Sequence, residues 1–211
     1  MAQAAVPARR PAPLLPYRHV LFVCHANTSR SVMAEHLLRR LLEDHAVPLG
    51  SMIVTSGGIA PYARDGSLVS LDTRLVLRDV DIHLEPESVA RDLKRGHRHL
   101  LDEADLVLTM TSEQVRMVRD QLGGENRPEL AVSTLRDFAG LGGDIADPAG
   151  QDENVFALTR DRIAHALEHA VSLLVPGAPE VRREACATCA AENPDDFRPA
   201  PPPTSRGWVL R

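Results

Sequence analysis

Short apolar runs and helical spacings alternate along the middle of this chain. His19-Val20-Leu21-Phe22-Val23 is an apolar run that stops at a polar loop, the mark of a buried strand. From Ser31 to His45 the apolar positions fall at 33, 34, 37, 38, 41 and 42, a helical spacing. Met52-Ile53-Val54-Thr55 predicts a second strand, ended by Ser56-Gly57-Gly58, and residues 67–79 predict a second helix. Leu106 to Met110 predicts a third strand, with a helix over 112–121 after it. Ala131-Val132-Ser133-Thr134 predicts a fourth strand. Residues 153–174 carry a long helical pattern with Leu158, Ile163, Leu167 and Leu174 among its apolar positions. Strands alternating with helices predict an α/β fold, a parallel sheet with helices on both faces. Ligands of such sheets bind beyond the carboxyl ends of the strands, near the switch point. The loop after the first strand is therefore the first place to look for chemistry.

Proline bounds this pattern. Four of the 16 prolines lie in residues 1–16 and seven in 176–211, leaving five for the 159 residues between. The expected organisation is one domain over 17–175, flanked by solvated, disordered tails at 1–16 and 176–211. No run approaches the ~18 apolar residues of a membrane span, and the first 16 residues lack the apolar core of a signal peptide. A cytoplasmic protein with no membrane partner is expected. A net charge of -5 does not suggest a nucleic-acid partner. The three cysteines, Cys24, Cys186 and Cys189, are too few for a disulfide framework and fit a reducing compartment. Aromatic residues are only 3% of the chain, so the core must be built from Leu, Val, Ile and Ala.

The loop after the first strand reads Cys24-His25-Ala26-Asn27-Thr28-Ser29-Arg30-Ser31. Its cysteine and arginine, five residues apart between a strand and a helix start, suit a tetrahedral oxyanion. A short loop at a helix N-terminus turns backbone N–H groups inward, and the helix dipole adds positive potential. Arg30 can fork two hydrogen bonds onto anion oxygens. Helix N-termini and cations favour the thiolate form of a cysteine, which is the nucleophilic form. Asn27 tolerates the left-handed backbone that a tight loop needs. The spacing alone also fits a buried structural cysteine followed by a capped helix. A thiolate attacking a phosphoester needs an acid for the leaving group. Asp147-Pro148 is the candidate, in the Gly-rich loop 142–150 before the last helix, where apolar walls would surround the carboxyl. Taken alone, it reads first as an ordinary Asp-Pro turn.

Taken together these motifs resemble the low-molecular-weight protein tyrosine phosphatase family. The family's V-C-x-G-N-x-C-R-S-P followed by M-A-E is matched by Val23-Cys24-His25-Ala26-Asn27-Thr28-Ser29-Arg30-Ser31-Val32-Met33-Ala34-Glu35. Its Asp-Pro loop resembles Asp144 to Pro148, its Ser-Ala-Gly resembles Ser56-Gly57-Gly58, and its A-D-L-(I/V)-L-x-M strand resembles Ala104 to Met110. The resemblance implies a three-layer fold with a four-stranded parallel sheet, a phosphorylated protein substrate, and a two-step mechanism without metal or cofactor. By the same resemblance Cys24 attacks phosphorus, Asp147 is acid and then base, and Arg30 holds the phosphoryl oxygens. His25, Ala26, Asn27, Thr28, Ser29 and Ser31 make up the phosphate loop, with Ser31 bonded to the thiolate and Asn27 and Ser56 supporting the loop shape.

Departures from the pattern bear on the substrate. Ala26 stands for the usual glycine, and an alanine would be strained there if the position needs a positive φ. Val32 stands for proline. Ser29 stands for the second loop cysteine, which removes a backup disulfide. The aromatic residues that typically follow Asp-Pro are replaced by Ala149 and Gly150, leaving Tyr62 as the candidate aromatic wall. Thr28 resembles the family's protein-arginine phosphatases, where typical members carry an aliphatic residue; it also fits a residue that merely packs or caps the helix. Phosphotyrosine and phosphoarginine both remain open as substrates. Two other readings stand beside the phosphatase. One is an arsenate reductase of the same fold, although the only further cysteines are the Cys186-Ala187-Thr188-Cys189 pair in the tail. The other is a catalytically weak phospho-binding regulator. The His97-Arg98-His99 cluster reads as a surface turn. The oligomeric state is not legible.

Overall fold

The computed structural model describes residues 15–48, 50–123 and 127–177. The expected tails lie almost entirely outside these, and so do Cys186 and Cys189. Four strands, β1 (His19–Cys24), β2 (Ile53–Gly58), β3 (Leu106–Thr109) and β4 (Ala131–Thr134), pair in parallel in the order β2-β1-β3-β4. Six helices join and cover them: α1 (Arg30–Asp44), α2 (Leu71–Arg78), α3 (His99–Glu103), α4 (Ser112–Gln121), α5 (Leu135–Phe138) and α6 (Glu153–Leu174). Strand order reverses direction between β1 and β3, so the loop leaving β1 opens at the switch point.

All six residues of β1 are buried, as the apolar run predicts for a strand covered on both faces. Their side chains alternate. Val20, Phe22 and Cys24 join one cluster with Met33, Leu38, Ile163 and Leu167, from α1 and α6. Leu21 and Val23 join the other with Leu100, Leu101 and Val118, from α3 and α4. Among the described residues, Phe22 and Phe156 are the only phenyl rings in the buried hydrophobic core, which is otherwise mainly aliphatic.

Three local readings are corrected. Ser56, Gly57 and Gly58 do not end β2 but form its second half, paired with Phe22, Val23 and Cys24. The helix expected over 67–79 starts only at Leu71, because Leu68 is extended and bridges Val89. The cluster at 97–99 is not all turn, since His99 opens α3.

Candidate active site

β1 ends at Cys24 and α1 begins at Arg30, so five residues make the connection. The loop curls because Asn27 takes a left-handed φ of 59°. That turn brings the Asn27 N–H to 3.3 Å from Cys24 Sγ. Ser31 Oγ lies 3.0 Å from the same sulfur, and Cys24 is 3% exposed. Ala26 is not among the positive-φ residues, so the missing glycine imposes no strain there. The glycine the loop does require is across from it, on β2. A Cβ on Gly58 would lie 2.8 Å from the Ala26 carbonyl carbon and 2.9 Å from the His25 oxygen. Beyond Gly58, Ile59 N–H donates to the Cys24 carbonyl at 3.1 Å, and Ala60 N–H to that of His25 at 3.0 Å.

The N-terminus of α1, like that of the short α3, has no side-chain cap. Side chains cap α2, α4, α5 and α6, from Ser70, Thr111, Thr134 and Asp152. Ser29 holds the N-cap position of α1 but makes no capping bond, and the first turn of α1 has no acidic residue. Ser29 Oγ and Arg30 Nε are buried with no hydrogen-bond partner. Orphan helix N–H groups, a helix dipole and two unpaired buried polar atoms together make a binding site for an anion. The capped-helix reading of the loop does not hold, and Thr28 is not the cap. Instead the Thr28 carbonyl accepts from Ser70 N–H at 3.1 Å and from Thr73 Oγ1 at 3.2 Å, docking the loop on α2. The Thr28 hydroxyl makes no hydrogen bond to the described residues.

Arg30 is 1% exposed and reaches the acid loop with both terminal nitrogens. Nη1 donates to the Ile145 carbonyl at 2.9 Å, and Nη2 pairs with the Asp147 carboxylate. The acid loop is pinned independently: Ile145 N–H donates to the Met110 carbonyl at 2.8 Å, and Asp144 Oδ1 accepts from the Ser112 N–H and hydroxyl, each at 2.9 Å. The expected apolar surroundings of Asp147 are not what is found. Its side chain is 39% exposed and faces the Arg30 guanidinium, with His25 Nδ1 at 3.8 Å. The sequence could not show this, because Arg30 and His25 are more than a hundred residues away.

Around the mouth stand His25, Tyr62 and Glu113. His25 Nε2 is 3.6 Å from Glu113 Oε2, and its ring meets Tyr62 edge-on at 6.2 Å between centroids. Tyr62 is 62% exposed; partial burial, then the nearby Asp147 charge, holds its phenol above the ordinary value.

Two participants went unnoticed in the sequence as site residues. Glu35, on α1, is 3% exposed and accepts from the Ser56 hydroxyl at 2.5 Å. Arg91 donates its N–H to Asn27 Oδ1 at 2.9 Å and pairs with Glu35 at 3.2 Å. Glu35 left a signal, an acid beside buried apolar positions of an amphipathic helix. Arg91 left none, because only the fold brings it to Asn27.

A thiol at a strand end, a buried arginine, an uncapped helix start and a carboxylate on the facing loop bring together the groups that cysteine-dependent phosphoryl transfer needs. The comparisons agree. The profile of the family described as low molecular weight phosphotyrosine protein phosphatase matches residues 19–184. The chain belongs to that family and is a protein phosphatase, a hydrolase acting on phosphorylated protein. It is 36% identical over 152 residues to a protein-arginine-phosphatase of Geobacillus stearothermophilus, covering 71% of this chain and 90% of that one. It is 26% identical over 157 residues to the low molecular weight protein-tyrosine-phosphatase PtpB of Staphylococcus aureus, covering 74% and 94%. Among solved structures, the YwlE arginine phosphatase of Geobacillus stearothermophilus superposes with a TM-score of 0.61 at 32% identity, covering 74% and 92%. A cysteine-to-serine mutant of YwlE with a phosphorylated active-site serine superposes at 0.64 and 29%, covering 74% and 95%. Among the described residues no helix is long and apolar enough to cross a membrane.

Proposed function

We propose that this chain dephosphorylates phosphoarginine in proteins through a phosphocysteine on Cys24. The observation that carries the mechanism is the convergence of Cys24, Arg30 and Asp147 on one uncapped helix start. Arg30 exchanges its carboxylate partner for the phosphoryl oxygens, using the unpaired Nε and the adjoining Nη, while the loop amides take the remaining charge. The Cys24 thiolate attacks phosphorus; the S–P bond forms as the bond to the leaving group breaks. Asp147, freed from Arg30, takes up a proton from solvent and gives it to the leaving atom. The same carboxylate then takes a proton from water, which attacks phosphorus and expels the thiolate, releasing phosphate. The Ser31 hydroxyl, 3.0 Å from the sulfur, stabilises the thiolate as it departs.

The substrate reading rests on what surrounds the leaving group. Ala149 and Gly150, both exposed, offer no ring after Asp-Pro to stack on a phenol. Thr28 brings an uncommitted hydroxyl to the loop, a partner for a guanidinium N–H. The relatives named as arginine phosphatases are 36% and 29% identical, against 26% for the tyrosine phosphatase PtpB. Tyr62 beside His25 favours a second reading, phosphotyrosine, with Tyr62 as one wall. Cysteine usage fits a cytoplasmic enzyme, and the net charge of -5 fits a protein substrate rather than nucleic acid. Parallel kcat/KM measurements on phosphoarginine and phosphotyrosine peptides test the assignment. We expect the phosphoarginine peptide to be preferred, and Thr28→Ile to lower its turnover while sparing phosphotyrosine. A wild-type preference for phosphotyrosine overturns it.

A further inference from the structure

Away from the phosphate loop, Ser112, Val115, Arg116 and Arg119 stand at helical spacing along one face of α4. Across from them lie Val132 and Ser133 of β4, the edge strand of the sheet. Between the two walls runs a groove of about 340 Å³, at the small end of the ~300–1,000 Å³ of ligand pockets. Arg116 and Arg119 are exposed, and neither guanidinium makes a hydrogen bond or ion pair with the described residues. For Arg116 partners are at hand, since Glu113 and Asp120 lie three and four residues away on the same helix, a spacing that commonly pairs opposite charges. Glu113 turns instead to His25 Nε2, at 3.6 Å. The one acid of the lining is Asp137, in α5, so two cations face one anion in a chain whose net charge is -5. The groove begins where the active site ends. Ser112, on its rim, donates its N–H and hydroxyl to Asp144 of the acid loop, each at 2.9 Å, and the next residue is the Glu113 that meets His25 at the mouth. From Glu113, Arg116 and Arg119 lie three and six residues further along α4, roughly 5 and 9 Å at about 1.5 Å per residue. An extended peptide covers ~3.3 Å per residue, so both are in reach of side chains about two to five positions from a phosphoresidue at the mouth.

We infer that this groove docks an acidic stretch of the phosphoprotein substrate, whose Asp or Glu side chains pair with Arg116 and Arg119 while the phosphoresidue occupies the Cys24 site. The inference rests on the phosphocysteine reading above, but not on the choice between phosphoarginine and phosphotyrosine, since the groove lies beyond the mouth. Charge favours this occupant, because acidic side chains supply the partners that both guanidinium groups lack. Place favours it too, because a chain leaving the mouth past Ser112 and Glu113 runs onto the arginine face of α4. Neither arginine reaches the reacting atoms. Their effect falls on substrate capture, and it is modest, because ion pairs at an exposed surface are individually weak.

The test compares the full-length wild type with the Arg116→Gln/Arg119→Gln double variant. Both positions are exposed and Gln is a good helix former, so the variant keeps the fold. Each enzyme acts on two phosphoarginine peptides of equal length, one with Glu and one with Gln at positions two to five on both sides of the phosphoresidue, and on the matching phosphotyrosine pair. A small aryl phosphate is the control, because it does not extend to the groove. The wild type is expected to favour the acidic peptide by about 3- to 10-fold in kcat/KM, mainly through KM, as two exposed ion pairs allow. Salt at about 1 M should erase most of that preference. In the double variant the preference should fall close to unity, with aryl phosphate turnover unchanged. Arg116→Glu/Arg119→Glu should reverse it, favouring a peptide with Lys at the same positions. No acidic preference in the wild type, or a preference that the double variant keeps, overturns the inference. A double variant that loses aryl phosphate turnover to the same extent also overturns it, since the arginines would then be supporting the site. A wild-type dimer in sedimentation that the double variant abolishes would give the groove to a second copy and overturns it as well. Aryl phosphate turnover that survives Cys24→Ser would defeat the phosphocysteine reading itself. Cys24-dependent turnover indifferent to peptide charge would defeat the docking groove alone.

Discussion

Asp147 is paired to Arg30, the residue we propose binds the phosphoryl group. On the proposed mechanism, substrate binding and release of the acid are one event: the anion competes for the guanidinium and frees the carboxylate to take up the proton it then donates. Asp147→Asn removes the proton donor but keeps the shape. It should cut turnover of poor leaving groups by about 10²–10⁴-fold and hurt an activated aryl phosphate much less. A plot of rate against leaving-group pKa checks this, and equal losses across the series contradict it. At this scale the sequence was most informative where chemistry is local. Cys24, Asn27, Arg30 and Ser31 lie within eight residues, so their spacing on a strand–loop–helix is readable without a fold. Asp147 was readable as a type, an acid stiffened by Pro148, but its neighbours were not. The partners of Glu35 come from positions 39, 56 and 91, and no single window of sequence contains that set.

Among the elements, the end of β2 bears most directly on the site. Gly57 and Gly58 read as strand terminators, yet both are paired strand residues, and each lacks a Cβ because something else fills the space. At Gly58 that neighbour is loop backbone, which cannot yield without moving the site. At Gly57 it is the Leu93 side chain, in the core on the other face, which can rotate. Gly58→Ala should thus lose stability, on the order of 1–3 kcal/mol, and also lose turnover per folded molecule. Gly57→Ala should lose stability with turnover per folded molecule retained. Urea unfolding beside kcat for the two variants separates them; equal effects on kcat would contradict this account. The other misread elements have similar physical causes. α3 and α5 are five and four residues long, too short to show a periodicity. The front of the expected 67–79 helix was drawn off by its bridge to Val89, a contact twenty-one residues away.

For the molecule as a whole, acid weakens the fold through histidines. Burial disfavours the charged form of His19, His36 and His165, so each lies below the ordinary value of 6.5 in the folded chain. The unfolded chain then takes up protons first as pH falls below 6.5, and stability declines from there down to the folded values. Glu168 acts oppositely, since burial raises it above 4.5 and its contribution is lost as pH rises through the raised value. With three groups against one, the urea midpoint should be lower at about pH 5.5 than at about pH 7.5, in a buffer free of phosphate. A midpoint that holds or rises on acidification would contradict this.

A parallel sheet was expected, because alternating strands and helices leave few other solutions, and the structure supplies its order, β2-β1-β3-β4. That order puts β1 at the switch point and its Cys24 at the mouth, which is the claim on which the rest depends. The direct measurement is to quench the full-length enzyme with acid during turnover of a good substrate and map the phosphoryl group by mass spectrometry. The account predicts an adduct on the peptide carrying Cys24, absent from Cys24→Ser or replaced there by a non-turning-over phosphoserine. Turnover with no phosphoenzyme on Cys24, and with Cys24→Ser still active, would contradict it.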